Sequence, residues 1–155
     1  MRGAVRCTGG DRMYIVYAPE AASEALARTL SGVGGIGCGP AEAALPARER
    51  ALVLVTPDYY SRGFWRMKQR LTAQAGRLEG MLCACLVQSD SEIGADLAIR
   101  ALVSQLLAAG AAVYLCAMTH AGGRILPGGC TEPCKNEMTT LDFYTKFLQM
   151  AEKLG

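Results

Sequence analysis

Residues 51–68 read ALVLVTPDYYSRGFWRMK. The first five, Ala51–Val55, are apolar without a break, as a strand buried on both faces should be. The run ends at Thr56-Pro57 and passes through Asp58, Tyr59 and Tyr60. Beyond the turn, the spacing predicts a helix over 63–75. Two adjacent phenols at the exit of a buried strand have two readings. They can cap the core, or they can offer a platform to a flat ligand.

The same alternation recurs along the chain. Met13–Ala18 (MYIVYA), Met81–Val87 (MLCACLV) and Ala112–Met118 (AVYLCAM) are further short apolar runs. Helices are predicted over 23–31, 95–109 and 140–153. The last has Thr139 or Thr140 as N-cap, Asp142 in its first turn, and an apolar stripe of Leu141, Tyr144, Leu148 and Ala151. Phe143, Phe147 and Met150 broaden that stripe. Strand–helix alternation calls for a parallel sheet with helices on both faces and right-handed crossovers. The expected fold is therefore a three-layer α/β/α domain with four to five strands. The interval 32–50, GVGGIGCGPAEAALPARER, offers only Ile36–Cys38 as a reduced second strand. It also contains Gly32-x-Gly34-x-x-Gly37, but a dinucleotide fingerprint must follow a strand and open a helix. This one follows a helix and runs into Pro40. In an open parallel sheet, ligands sit outside the carboxyl ends of the strands where strand order reverses. That singles out loops 19–22, 56–62, 88–94 and 119–123.

Composition narrows the class. The 155 residues, half of them hydrophobic and 19% charged, suit a single domain over 1–155 with a substantial core. No apolar run is long enough to span a bilayer or to serve as a secretory signal, so a cytoplasmic protein is expected. The seven cysteines (Cys7, Cys38, Cys83, Cys85, Cys116, Cys130 and Cys134) follow no disulfide ladder. Cys83, Cys85 and Cys116 lie in apolar runs, where a thiol packs as a small hydrophobe. A net charge of +2 points to neither a nucleic-acid nor a membrane partner.

The turn Thr56-Pro57-Asp58-Tyr59, followed by Met67-Lys68 at the head of the next helix, resembles the flavodoxin-like superfamily. The likeness is strongest to its NADPH-dependent FMN reductase branch, which carries Thr/Ser-Pro-x-Tyr and Leu-Lys at these places. Residues 78–118 look like that family's fourth strand, ligand loop, helix and fifth strand, so the resemblance covers about residues 12–120. It implies a flavodoxin-like fold, an FMN cofactor, NAD(P)H as co-substrate, a small-molecule electron acceptor and a homodimer or larger homo-oligomer. By the family's pattern, Thr56, Pro57, Asp58, Tyr59, Tyr60 and Ser61 would hold the flavin ring, with Ser89 at its edge and Ser23 at the phosphate. A flavodoxin-type electron carrier would be strongly acidic, whereas this chain is slightly basic.

The loop after the first strand departs from the family. APEAASEALA (18–27) keeps the helix register at Leu26-Ala27 but only one hydroxyl, Ser23. Glu20 places a carboxylate where relatives hold a phosphate at a helix N-terminus. A second reading follows: a flavodoxin-like scaffold that has lost FMN and serves as a binding or interaction module. In the loop QSDSEIGADLA (88–98), Asp90, Ser91 or Gly94 can equally open an ordinary capped helix. Arg66, Arg70 and Arg77 share one helix face, read as a solvated stripe or as a site for the 2′-phosphate of NADPH. Trp65 packs on the sheet or forms a subunit contact. Cys130-x-x-x-Cys134 is too few ligands for zinc or an iron–sulfur cluster, and no metal is expected. His120, the single histidine, ends the last strand on the ligand side. No nucleophile–histidine grouping is readable, which leaves hydrolysis unsupported.

Overall fold

The computed structural model describes residues 13–34, 36–45 and 50–119, with Lys146, Phe147, Gln149, Met150 and Lys153 of the terminal helix. The expectations for His120, Cys130, Cys134 and the N-cap at Thr139–Thr140 fall outside the described residues.

Each apolar run forms a strand, and the intervening stretches form helices. The order is β1 (Met13–Tyr17), α1 (Ala21–Gly34), β2 (Gly37–Pro40), β3 (Ala51–Pro57), α2 (Arg62–Ala73), α3 (Ala75–Leu78), β4 (Leu82–Gln88), α4 (Glu92–Ala108) and β5 (Ala112–Thr119). All pairings are parallel, in the order β2-β1-β3-β4-β5. This is the flavodoxin-type order, whose direction reverses between β1 and β3. The fold is flavodoxin-like, as the sequence implies.

Alternation along the central strands feeds two cores. Val16, Leu52, Leu54, Cys83, Cys85 and Val87 meet Phe64, Met67 and Leu71 of α2 and Ala98, Leu102 and Leu106 of α4. On the opposite face, Ile15, Tyr17, Val53, Val55 and Leu86 meet Leu26, Ala27 and Leu30 of α1, with Phe147 of the terminal helix. Phe147 stacks on Tyr114 of β5, with ring centroids 6.1 Å apart. The second strand proves to be Gly37–Pro40 rather than 36–38, and it has almost no apolar content. Its place is fixed by backbone pairing to β1 and by Tyr14, whose ring lies against the glycines of β2. A Cβ at Gly37 would come within 3.2 Å of that ring, and one at Gly39 would overlap the Tyr14 hydroxyl. The formal dinucleotide fingerprint straddles the end of α1 and the start of β2, so it opens no helix.

The arginine stripe divides in the structure. Arg77 donates to the Leu45 carbonyl (3.0 Å) and, with Gln74 to Ala43 and Leu45, ties the loop after β2 to the end of α2 and to α3. Arg66 and Arg70 line a shallow depression with Glu42 and Gln69. Trp65 packs on Phe64 and Tyr59, with centroids 5.1 and 4.9 Å away, and stays 41% exposed.

The cysteine run has a chemical consequence. Cys85 and Cys116 face each other in register across β4 and β5. Hydrogen bonding between the two thiols pushes Cys85 up and holds Cys116 below the ordinary thiol range, while burial pushes Cys83 up to about 12. Thiolate, not thiol, is the nucleophile. A brief iodoacetamide pulse at pH 8 should therefore mark Cys116 ahead of Cys83 and Cys85, read by peptide mass spectrometry. Equal labelling of the three would contradict the pairing.

Candidate functional site

A crevice of about 410 Å³ opens at the carboxyl ends of β1, β3 and β4, where strand order reverses. Its size suits a small molecule. Glu20, from the loop after β1, and Ala22, in the first turn of α1, line one side, with Pro57 at the end of β3 and Asp58 and Ser61 in the loop that follows it. Gln88 at the end of β4, with Ser89, Asp90 and Ser91 in the loop after it, completes the wall.

The walls are held by helix caps. Ser61 is the N-cap of α2, accepting from the Gly63 N–H at 3.3 Å. Its hydroxyl donates to Glu20 Oε2, on the wall from the loop after β1, at 2.8 Å. The Glu20 carboxylate thus lies beside the first turn of α2, where the helix dipole favours an anion. Ser91 caps α4 in the same way, accepting from the Gly94 N–H at 3.0 Å. Asp58 lies beside that turn: it accepts from Ser89 Oγ (2.6 Å) and from the Tyr60 N–H (3.0 Å). The Tyr59 N–H donates to the Gly94 carbonyl at 3.1 Å. Gly94 has to be small, because a Cβ there would lie 2.9 Å from Asp58 Oδ2 and 3.1 Å from the Tyr60 ring.

The residues singled out from sequence divide accordingly. Pro57, Asp58, Ser61 and Ser89 come together in the wall. Thr56 is fully buried and its hydroxyl donates to the Pro57 carbonyl. Ser23 is also fully buried, and its Oγ has no partner among the described residues. Tyr59 turns away from the crevice onto Phe64 and Trp65, with the Trp65 indole N–H donating to the Tyr59 carbonyl (2.8 Å). Tyr60 stands beside Asp58 and Gly94, 67% exposed, with Ile93 at the start of α4 68% exposed. Gln88 joins Pro57, Asp58, Ser61 and Ser89 in the wall although it belongs to no motif. It ends an otherwise apolar strand, and a polar residue closing such a run at the ligand side is the signal that could have found it. Its Oε1 is buried and has no partner among the described residues.

FMN, expected from the sequence, can be tested against these walls. For the flat ring there is an exposed phenol, Tyr60, beside a turn fixed by three hydrogen bonds. The phosphate does not fit. Glu20, Asp58 and Asp90 bring three carboxylates to the wall, and no lysine, arginine or histidine is among its described residues. The first turns of α2 and α4 already face the chain's own Glu20 and Asp58.

No protein-family model matches the chain, and no curated protein matches it. Solved structures do. The two-electron reduced flavodoxin of Megasphaera elsdenii aligns with a TM-score of 0.59 at 16% identity, over 91% of this chain and 98% of that one. Oxidised flavodoxin 1 of Bacillus cereus gives 0.54 at 18%, over 92% and 97%. A response regulator of Colwellia psychrerythraea gives 0.52 at 10%, over 94% and 99%. At these identities the likeness is one of fold, and the function has to be argued from the crevice.

Proposed function

We propose that this chain is a flavin-binding oxidoreductase domain of the flavodoxin-like fold, using the crevice at the β1/β3 switch point. The observation that carries the reading is the pinned turn at 58–60. Asp58 and Gly94 fix its backbone, and the Tyr60 ring is left exposed beside the wall. A phenol so placed can cover one face of an isoalloxazine while its hydroxyl stays in water. When bound, a flavin would supply hydride and electron transfer, with NAD(P)H as donor and a small molecule as acceptor. The chain's part is to position the ring and exclude water, which requires no acid–base side chain.

The expected result is saturable quenching of flavin fluorescence on titration with the protein. Tyr60→Ala should weaken binding about fivefold, the scale of one aromatic contact. Tyr59→Ala should act through folding rather than affinity, because its ring packs on α2. NAD(P)H consumption by the flavin-loaded protein then tests the redox half.

A second reading, a scaffold acting through protein contacts, is favoured by the use of Glu20 and Asp58 as internal partners of the helix N-termini and by the exposure of Tyr60 and Ile93. Absence of binding to any flavin would leave that reading in place.

A further inference from the structure

We propose that the exposed face of α2, with the start of α4, is where a second copy of this chain docks as an isologous dimer. Three large apolar side chains that stay exposed, Tyr60, Trp65 and Ile93, gather at this one place. They form a continuous surface. The Tyr60 ring lies 6.0 Å from that of Tyr59, which lies 4.9 Å from that of Trp65. Tyr60 also stands against Gly94, next to Ile93. An apolar cluster of this kind marks a contact surface, and aromatic residues and arginine are enriched at the centre of such surfaces. Its base is rigid, because Trp65 is held edge-on by Tyr59 and Phe64 and by the hydrogen bond of its indole N–H to the Tyr59 carbonyl. An anchor already fixed in place loses little freedom on binding.

The charges around this centre decide what covers it. Arg62, Arg66 and Arg70 are exposed at every fourth position of α2, which puts them on one side of the helix over about 12 Å. Glu42 lies beside Arg66 and Arg70, so the row keeps a net positive charge. On the other side of the aromatic cluster, Glu92 is exposed in the first turn of α4, and Glu20 and Asp58 line the crevice beyond Tyr60. The Asp96–Arg100 ion pair further along α4 is neutral as a unit. One face thus carries a basic half and an acidic half with an apolar centre between them. A partner of a single charge sign would be drawn to one half and repelled by the other. A second copy turned about a two-fold axis presents each half with its complement, since in an isologous contact residue i meets j and j meets i. With the two α2 helices antiparallel about Trp65, Arg66 and Arg70 of each copy face the Glu92 end of the other.

The experiment is sedimentation velocity on the whole chain without added flavin, at about 5–200 µM protein and about 50 and 500 mM salt. A dimer is expected, with a dissociation constant that rises several-fold from the lower salt to the higher. Trp65→Ala should weaken it about tenfold or more. An Arg66→Glu, Arg70→Glu double variant and a Glu92→Lys variant should each sediment as monomers at concentrations where the wild type is dimeric. Mixed in equal amounts, the two should recover a dimer, because each then meets the charge it lacks. All these charge changes lie at exposed positions, and circular dichroism checks that the fold is kept. A wild-type chain that stays monomeric throughout the range would overturn the inference. So would a charge variant that dimerises like the wild type, or a mixture that fails to recover the dimer. None of these results bears on flavin binding, so the reading of the crevice stands or falls separately.

Discussion

Phe64→Ala should lower the free energy of unfolding by about 3–5 kcal/mol, the range for removing a fully buried aromatic ring from a core. Phe64 is fully buried, in the first turn of α2, among Leu52, Leu54, Met67 and Leu71. It also holds the neighbouring aromatics, with Tyr59 and Trp65 centroids 5.9 and 5.1 Å away. The cavity left by alanine would have little to collapse into it, because the sheet behind is rigid and α2 is anchored at both ends. Ser61 and Glu20 fix one end, and Gln74 and Arg77 tie the other to the 41–45 loop. Domains of this size are stable by only about 5–15 kcal/mol, so the loss is a large fraction of the whole. A fall in midpoint temperature of roughly 10 °C corresponds to it. Urea unfolding followed by circular dichroism gives the number, and a loss under about 1 kcal/mol would mean that α2 does not pack on β3 as described.

Phe64 also shows what was legible in the sequence. The strands β1, β3 and β4 announce themselves as unbroken apolar runs, because a strand covered on both faces needs no polar side; β5 reads the same way although, at the sheet edge, it leaves Ala112 and Tyr114 exposed. Their observed bounds differ from the expected ones by a residue or two, at the ends, where Pro57, Gln88 and Thr119 extend the pairing. β2 was nearly invisible for a physical reason. Its pairing is a property of the backbone, and its side-chain surface is supplied by Tyr14 from the neighbouring strand, so GCGP carries no hydrophobic pattern of its own. The place of the crevice was legible, since strand order and loop position determine it together. The orientation of its side chains was not. Spacing cannot say that Tyr59 turns to α2 while Tyr60 turns out. Nor can it say that Glu20 reaches a serine 41 positions later. In the sequence Glu20 reads as a carboxylate at the start of α1, whereas the structure gives it to the N-cap of α2. Gln88 escaped because it looks like the polar end of a strand until its unpaired oxygen is seen in the crevice wall.

The crevice depends on how closely α4 approaches the 58–60 turn, and Gly94→Val should break that approach. In most helix interiors a larger residue replacing glycine gains stability through backbone entropy. Gly32, in α1, has nothing within 4 Å of an added Cβ, so Gly32→Ala should stabilise the protein by up to about 1 kcal/mol. Gly94 is the opposite case. Its added Cβ would meet Asp58 Oδ2 at 2.9 Å, Asp58 Cγ at 3.1 Å and the Tyr60 ring at 3.1 Å. The carboxylate cannot simply swing aside, because Ser89 Oγ and the Tyr60 N–H both hold it. Nor can the helix start retreat freely, with the Gly94 carbonyl accepting from Tyr59 and its N–H committed to Ser91. Valine adds two methyl groups to that overlap, and overpacking of this kind costs about 1–3 kcal/mol. The disturbance falls on Asp58 and Tyr60 together, so flavin affinity should drop by about tenfold or more as the turn opens. Denaturant unfolding and the fluorescence titration measure the two effects on one variant. Opposite signs for Gly32→Ala and Gly94→Val are the expected pattern. If Gly94→Val kept both wild-type stability and affinity, α4 would not be closing the crevice against Asp58, and the wall described for the site would have to be redrawn.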